Sequence, residues 1–242
     1  MKDRLKKLFK FIKRIIFVII LVFLALSSII TYKGYQMYES AIEIVSIREK
    51  VKEIKADKNY VTIDKVPKDY INAVVAIEDH RFYEHYAVDI VSLGRAIVTD
   101  INTKSISEGG STITQQLAKN MYFSQEKAFT RKVAEVFVSL ELEKIYSKDD
   151  IIEMYINIAY YGDGFYGIRE ASLGYFNKEP EELTLEECTL LAGLPNAPSV
   201  YALSNNSPLT VKRQLQVIEA MKKYEYISDK DAEELKKEIE DK

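Results

Sequence analysis

Residues 78–85 combine the adjacent acids Glu78 and Asp79 with two histidines and two aromatic side chains. A carboxylate at the end of an apolar segment can act as a general base, because it can take a proton from a hydroxyl group held within hydrogen-bonding distance. Glu78 is the candidate base. The alternative is that both acids are solvated at the C-terminal end of a helix, where the helix dipole disfavours negative charge by roughly 0.3–1 kcal/mol. These residues alone leave both explanations open.

Residue types that bind soft metals are scarce in the chain. The only two histidines, His80 and His85, do not have the HExxH spacing of a zinc protease, and Cys188 is the only cysteine. Neither a histidine zinc site nor a thiolate metal cluster is therefore expected. We interpret His85 as a structural residue with satisfied hydrogen bonds.

Residues 109–116 place hydroxyl and amide side chains where a Gly-Gly pair leads into a helix. Backbone N–H groups at the start of a helix can bind an anion such as a phosphate. Simple helix capping explains the same residues equally well. The basic residues that follow favour an anion site, with a diphosphate as the expected ligand, and they are Lys119, Lys127, Arg131 and Lys132.

Arg131 and Glu135 are four residues apart, so they lie on the same face of any helix that contains them. From the residues alone, the favoured explanation is a surface ion pair worth roughly 0.2–0.5 kcal/mol. A functional role for Glu135 is the alternative.

The spacing of apolar residues predicts helices around all of these stretches. Glycine (9) and proline (5) are scarce, which favours a mostly helical fold over a many-stranded sandwich. Thr130 is the expected N-cap of one helix, Asp149 and Asp150 are the expected caps of the next, and residues 102–110 are predicted to form a flexible loop. The predicted helices cover residues 68–78, 87–101, 112–121, 130–146, 151–158, 169–176, 184–194 and 209–224.

The first 32 residues predict a membrane anchor. Residues 1–14 carry seven basic residues and one acid, and residues 15–32 are almost entirely apolar, close to the roughly 20 residues that a spanning helix needs. Flanking basic residues stay in the cytoplasm, so the rest of the chain is expected outside. A cleaved signal peptide is the alternative. Residues 33–60 are expected to form a stalk or the first helix of a domain that occupies residues 61–242.

The charge of the chain is strongly asymmetric. Its total is −3, and because residues 1–14 contribute +6, the remainder carries −9. Binding to nucleic acid is not expected, since it requires a basic surface that neutralises phosphates. An anionic ligand must instead meet a local basic site.

Together these stretches resemble the glycosyltransferase family 51 domain, the peptidoglycan transglycosylase found alone in monofunctional enzymes and as the first domain of bifunctional penicillin-binding proteins. The family patterns E-D-x-x-F-x-x-H-x-G, G-G-S-T-I-T-Q-Q, R-K-x-x-E and K-x-x-I-x-x-x-Y-x-N occur in that order at residues 78–87, 109–116, 131–135 and 148–157. Similarity continues through residues 169–176 and 192–199 to about residue 203.

One position departs from the family pattern. Ala87 stands where the first motif usually ends in glycine. Alanine costs strain if this position needs a positive φ, and little if it needs only a small residue. Normal activity is expected.

The resemblance implies a mostly helical, lysozyme-like domain that follows one transmembrane helix. It also implies a monofunctional enzyme, because the chain leaves no room for a transpeptidase domain with its Ser-x-x-Lys nucleophile. The implied reaction polymerises lipid II, a lipid-linked disaccharide, into β-1,4 glycan and releases polyprenyl diphosphate.

The resemblance also implies roles for individual residues. Glu78 matches the catalytic base of the family, and Glu135 matches its second essential glutamate, which we assign to orienting Arg131 or a metal ion near the diphosphate. The implied substrate-binding residues are Ser111, Thr112, Gln115, Gln116, Lys119, Asn120, Lys127 and Arg131. The implied structural residues of the motifs are Asp79, Phe82, His85, Tyr155 and Asn157.

A divalent cation, Mg²⁺ or Mn²⁺, is expected as cofactor, with ligands that the sequence does not identify. The expected partners are lipid II, the lipid-linked glycan chain, the membrane and other proteins of cell-wall synthesis. One alternative function is a lytic transglycosylase or muramidase, which would have one catalytic glutamate without the basic series. The other is a non-catalytic membrane scaffold that binds precursors, which would not need both Glu78 and Glu135.

Overall fold

The computed structural model describes residues 2–103, 110–123 and 129–240. Within these ranges the chain is mostly helical, as predicted, and its only extended pairing is a single bridge between Tyr160 and Tyr166. Four short 3₁₀ turns connect some of the helices in the described part. The α-helices are α1 (Lys2–Ile44), α2 (Ile47–Lys55), α3 (Lys68–Glu78), α4 (Ile90–Thr103), α5 (Ile113–Tyr122), α6 (Phe129–Ile145), α7 (Lys148–Ile158), α8 (Ile168–Phe176), α9 (Leu185–Gly193), α10 (Pro198–Tyr201), α11 (Pro208–Lys223) and α12 (Asp229–Glu240).

Helix α1 is long and apolar enough to cross a membrane, and it is the one described helix that meets both conditions. Its large apolar side chains between Leu8 and Leu26 are exposed to the surroundings. The helix does not end near Tyr32, where the predicted span stops, but continues without a break to Ile44. The predicted stalk is therefore helical, first as the end of α1 and then as α2.

The core of the domain forms around α7. This helix buries apolar side chains around most of its circumference, including Ile151, Ile152, Met154 and Ile156, and a helix that is apolar on all sides belongs in a protein interior. Helix α5 packs against α6 and α7, while α3 packs against α9 and α11. These packings bring the C-terminal end of α3 to the same place as α5 and α11.

Helix starts follow the capping-box pattern more closely than predicted. Thr112 caps α5 with Gln115, and Ser147 caps α7, where the Asp150 carboxylate accepts a hydrogen bond from the Ser147 backbone N–H at 3.2 Å. Ser147 is therefore the N-cap in place of the predicted Asp149 and Asp150, and Asp150 completes the capping box as the acid three residues later. Thr130 is not an N-cap either, since α6 already includes Phe129.

Helix α4 begins three residues later than predicted because Asp89 ends the preceding loop. The Oδ1 atom of Asp89 accepts hydrogen bonds from the backbone N–H groups of Val91 and Ser92, at 2.9 and 3.0 Å. An acid that satisfies the first N–H groups of a helix starts the helix immediately after itself. Most of the predicted flexible loop, residues 104–109, lies outside the described residues.

Ala87, which replaces the usual family glycine, sits in an ordinary backbone conformation. The described non-glycine residues with positive φ are Asp163, Asn177, Asn206 and Glu225, and Ala87 is not among them. Its side chain is fully buried, and its carbonyl oxygen accepts a hydrogen bond from the Thr112 hydroxyl at 2.8 Å. The position needs a small residue, and alanine satisfies that need without backbone strain.

Ala87→Gly is therefore expected to lower the free energy of unfolding by no more than about 1 kcal/mol, because glycine adds freedom to the unfolded chain and relieves no strain. Urea unfolding of the purified protein measures this change. Gly167→Ala is the contrasting variant: Gly167 has a φ of +80°, and an added Cβ would lie 2.5 Å from the Asn157 carbonyl oxygen, so it should destabilise much more. A gain in stability from Ala87→Gly would show that alanine is strained there.

Candidate active site

A cavity of about 1130 Å³ opens where the end of α3 meets α5, α6 and α11. It brings together the three stretches that the sequence analysis singled out, which are far apart in the chain. The predicted residues that line it are Glu78, Asp79, Ser111, Thr112, Gln115, Gln116, Lys119, Arg131 and Glu135.

The carboxylate of Glu78 is held by two hydrogen bonds inside this cavity. Its Oε2 atom accepts from the Gln116 amide at 2.7 Å, and its Oε1 atom accepts from the Arg213 guanidinium at 2.9 Å. The side chain is only 8% exposed, so it is not one of the solvated acids of the alternative explanation. Each carboxylate oxygen keeps a further lone pair that can accept a proton.

Gln116 connects Glu78 to the buried core through hydrogen bonds. Its amide oxygen accepts a hydrogen bond from the hydroxyl of Tyr155 at 3.3 Å, which fixes the amide group so that its nitrogen faces Glu78. Burial, with Glu78 as the next cause, raises the pKa of Tyr155 well above its usual value, so the hydroxyl remains a donor. Gln116 thus supports Glu78, in addition to the expected role in substrate binding.

Arg213 is the functional residue that sequence reasoning missed. It lies 135 residues after Glu78 in the chain, on α11. A second contact orients it, because its Nε donates to the Gly193 carbonyl oxygen at 3.3 Å. Nothing in the sequence distinguishes Arg213 from its neighbour Lys212, since only the packing of α11 against α3 and α9 points one of them at Glu78.

Asp79 connects the end of α3 to the start of α5. Its Oδ2 atom accepts from the backbone N–H of Ile113 at 3.1 Å, and its Oδ1 atom lies 2.8 Å from Nε2 of His85. The other ring nitrogen of His85 lies 2.6 Å from the Tyr86 carbonyl oxygen. Burial lowers the pKa of His85, but the hydrogen bonds to Asp79 and Tyr86 outweigh it, so the pKa is raised overall. Both residues act as structural members of the motif.

The start of α5 is closed by the protein's own groups. The Thr112 hydroxyl accepts from the N–H of Gln115 at 3.1 Å, and the Gln115 side chain accepts from the N–H of Thr112 at 3.1 Å. Asp79 occupies the N–H of Ile113, so three N–H groups at this helix start, those of Thr112, Ile113 and Gln115, already have protein partners. A capping box satisfies the donors that such a site requires.

Glu135 organises the basic face of α6. It is 1% exposed, lies 3.3 Å from Arg131 and accepts a hydrogen bond from Lys132 at 2.9 Å. Lys132 also donates to the Ser111 hydroxyl at 2.7 Å, which ties α6 to the segment before α5. The surface ion pair of the alternative explanation is therefore excluded, because the acid is buried beside the cavity.

Lys119 faces the same group of charges from α5. Burial is the largest cause that lowers the pKa of Lys119, the positive charges of Arg131 and Lys132 add to it, and Glu135 opposes it. An amine in this position loses its proton more easily than a surface lysine. An anionic ligand that enters the cavity would favour its charged form.

Two predicted substrate-binding residues are not placed in the cavity. Asn120 is exposed and does not line it. Neighbouring residues differ by about 100° around a helix, so Asn120 lies about 100° from Lys119, the last residue of α5 that lines the cavity. Lys127 lies outside the described residues.

The remaining motif residues are structural. Phe82 and Tyr155 are buried in the core. The Asn157 side chain accepts from the backbone N–H of Val61 and donates to its carbonyl oxygen, both at 2.8 Å, so it pins the segment before α3 to the end of α7.

Comparison with known proteins places this geometry in a family. The family model described as "Transglycosylase" matches residues 47–222, which include the residues that line the cavity except Lys223 and Tyr224. The chain belongs to the transglycosylase family. The match begins at Ile47, the first residue of α2, and Glu78 and Glu135 both fall within it.

Several relatives share this domain. Penicillin-binding protein 1F of Bacillus subtilis is 39% identical over 96% of this chain, and a Cupriavidus necator protein named as a transglycosylase is 44% identical over 67% of it. The chain spans 34% of the first relative and 70% of the second. A solved structure, that of penicillin-binding protein 1A from Haemophilus influenzae, is similar at 22% sequence identity with a TM-score of 0.44. The aligned part covers 74% of this chain and 17% of the Haemophilus chain.

The pairing of Glu78 with Arg213 makes a prediction about stability. Arg213→Gln removes the cation and leaves a nearly buried carboxylate uncompensated, so the free energy of unfolding should fall by about 2–3 kcal/mol. Lys212→Gln, one residue away, is the matched control and should change it by less than about 0.5 kcal/mol. Thermal or urea unfolding measures both.

A double-mutant cycle isolates the interaction itself. Because Glu78→Gln removes the buried charge, adding it to Arg213→Gln should recover part of the lost stability, with a coupling energy of at least about 1 kcal/mol. Strictly additive effects would mean that the two side chains do not interact in solution.

Proposed function

We propose that this transglycosylase domain polymerises peptidoglycan glycan strands from a lipid-linked disaccharide such as lipid II. In the reaction, the 4-hydroxyl oxygen of the incoming disaccharide forms a bond to the anomeric carbon of the growing chain. The bond from that carbon to the lipid diphosphate breaks, the diphosphate leaves with the electron pair, and the hydroxyl proton goes to Glu78. The observation that carries the proposal is one cavity with a nearly buried carboxylate and a separate basic cluster.

The surroundings of Glu78 suit a general base. A sugar hydroxyl is a poor nucleophile, and a carboxylate that accepts its proton during attack speeds the reaction by typically 10²–10⁴-fold. Gln116 and Arg213 hold both oxygens in place before substrate arrives, so little reorganisation is needed. Arg213 also balances the charge of a base that is largely shielded from water.

The basic cluster of Lys119, Arg131 and Lys132 suits the departing diphosphate. Negative charge builds on that group as the bond breaks, and fixed cations stabilise it most where water is excluded. Glu135 holds Arg131 and Lys132 at 3.3 and 2.9 Å, and we assign it to orienting them. No proton needs to be given to a diphosphate leaving group, so a second acid catalyst is unnecessary.

The expected divalent cation has a candidate site in the described part of the chain. One ligand atom from each of Asp79, His85 and Asp89 lies within 4.8 Å of the others, and both acids line the cavity. These side chains also bond to protein groups, since Asp79 contacts His85 and Ile113 and Asp89 accepts from Ser92. Glu78 and Glu135 are instead ion-paired with basic side chains. No step of the proposed reaction is assigned to a metal ion at this cluster.

A membrane location fits the proposed substrates, because both carry lipid tails. We propose that α1 anchors the protein with residues 1–14 in the cytoplasm and the transglycosylase domain on the outer side, as flanking basic residues favour. The apolar side chains of the first half of α1 are exposed, which suits contact with lipid.

The two alternative functions fit the cavity less well. A lytic enzyme acts on a finished glycan, which has no diphosphate, and it would not need a buried glutamate that organises two cations. A scaffold that only binds precursors would not need a carboxylate held on both oxygens. Polymerisation accounts for both features.

Glu78→Gln tests the assignment of the base. The variant keeps the shape of the side chain but cannot accept the proton, so the rate of glycan formation from purified lipid II should fall at least about 10²-fold. Gel separation of the glycan products measures that rate. Glu84→Gln, an exposed acid in the same motif, is the matched control and should remain within about twofold. An undiminished glycan ladder from Glu78→Gln would contradict the assignment of Glu78 as the base.

The lowered pKa of Lys119 predicts a pH dependence. As pH rises through this pKa, Lys119 loses the charge that stabilises the diphosphate, so the rate should fall on the alkaline side earlier than an ordinary lysine would allow. Lys119→Arg keeps its charge throughout, so this alkaline decline should move to higher pH. Lys144→Arg, at an exposed pair with Glu141, should leave the profile unchanged. Identical profiles for wild type and Lys119→Arg would show that this amine does not limit the reaction.

A further inference from the structure

The two faces of helix α6 contact different parts of the protein. Arg131, Lys132 and Glu135 face the cavity. At about 100° per residue, Thr130, Val133 and Phe137 point to the opposite side, and helix α1 packs along α6 on that side. The helix that holds the cations is thus enclosed between the cavity and the membrane-anchor helix.

Gly34 lies where α1 and α6 come closest. It is buried, and a Cβ atom added to it would lie 2.5 Å from Cβ of Val133 and 2.8 Å from the carbonyl oxygen of Thr130. Neither atom can move alone, because one is fixed to the α6 backbone and the other is part of it. Carbon atoms pack at about 3.5–4.0 Å, so any side chain at position 34 must push the two helices apart by about 1 Å.

Other contacts connect the same part of α1 to α5 and α6, two of the helices that line the cavity. The rings of Tyr35 and Tyr38 pack against Phe137 of α6, with centroids 5.3 and 5.7 Å away. Just after α1, the carbonyl oxygen of Val45 accepts a hydrogen bond from Tyr122 at the end of α5, at 3.0 Å. The second half of α1 is therefore a packed part of the domain and not a loose tether.

We propose that Gly34 is a positioning residue for glycan polymerisation, because it sets the depth at which α1 packs on α6 and thereby the position of Arg131, Lys132 and Glu135. This inference rests on the proposed function of the cavity. A displacement of about 1 Å in a group that stabilises a transition state can lower a rate by about 10²-fold. Gly34 acts through α6 and does not touch the substrate.

A size series at position 34 tests the role of Gly34. Gly34→Ala, Gly34→Val and Gly34→Leu should lower kcat for glycan formation progressively, to about 10–100-fold below wild type for leucine, with less than about threefold change in KM. Loss of a contact made only in the transition state appears in kcat. The thermal unfolding midpoint of each variant in detergent shows whether it is folded at the assay temperature.

Gly94 supplies the matched control series. It is also a helical glycine, on α4, but an added Cβ there meets no atom of the described residues within 4 Å. The same three substitutions at Gly94 should leave kcat within about twofold of wild type. If folded Gly34→Leu polymerises as fast as wild type, the role of Gly34 is refuted.

A disulfide tests the packing of the two helices independently of activity. Gly34→Cys with Val133→Cys should cross-link on mild oxidation in native membranes, because their Cβ atoms face each other and the helices need separate only slightly to reach the roughly 3.8 Å of a disulfide. The native thiol should not interfere, since burial raises the pKa of Cys188 to about 12. Gln36→Cys with Val133→Cys is the control, because Gln36 is exposed on another face of α1.

The two readouts separate the two hypotheses. No 34–133 disulfide by mass spectrometry, or one no faster than the 36–133 control, overturns the packing and with it the role of Gly34. If the variant with cysteines at positions 34 and 133 cross-links but the wild-type protein makes no glycan, the proposed function is overturned, and the role of Gly34 falls with it. Cross-linking together with a kcat that falls as the residue at position 34 grows supports both.

Discussion

The site depends on one nearly buried carboxylate whose two oxygens are held by side chains from two different helices. Glu78 stands at the C-terminal end of α3, where the helix dipole disfavours a negative charge. Gln116 from α5 and Arg213 from α11 offset that cost with hydrogen bonds of 2.7 and 2.9 Å. The position and the charge balance of the Glu78 side chain therefore depend on how α3, α5 and α11 pack together. Asp79, Tyr155 and the capping box at Thr112 matter because they fix where those partners lie.

Glu135 repeats this design, because it too is buried beside the basic side chains with which it pairs. Glu135 brings Arg131 and Lys132 to the cavity wall, and their combined charge contributes to the lowered pKa of Lys119. The domain outside residues 1–14 is acidic overall, so this local excess of positive charge has to be built from a few side chains. Packing of α1 behind α6 extends the arrangement to the membrane anchor.

Local patterns were enough to predict most of the elements. The apolar spacing of residues 68–78 gave α3 with its correct ends, and the mostly helical fold class is confirmed. Errors arose where a cap one or two residues away competed, as at Ser147 and Asp89, because several hydroxyl and acidic residues in sequence can cap the same helix. At Ala87 the sequence allowed either a positive or an ordinary φ, and the structure shows the ordinary one.

Long-range pairings were beyond the sequence. Arg213 acquires its role solely from the packing of α11, and Asn120 falls outside the cavity because of helix rotation, although it belongs to the same stretch as Lys119. The close approach at Gly34 likewise requires the position of α6, which lies about 100 residues away in the chain. Short motifs identify the chemistry of a site, whereas its supporting residues come from tertiary packing.

The most direct measurement of the central claim is a structure of the protein bound to two lipid-linked disaccharides, with the donor made unreactive. The account predicts that the 4-hydroxyl oxygen of the acceptor sugar lies about 2.6–3.2 Å from a carboxylate oxygen of Glu78. The donor diphosphate should lie against Lys119, Arg131 and Lys132. An acceptor hydroxyl bound to a different base, with Glu78 still enclosed by Gln116 and Arg213 and out of reach, would contradict it.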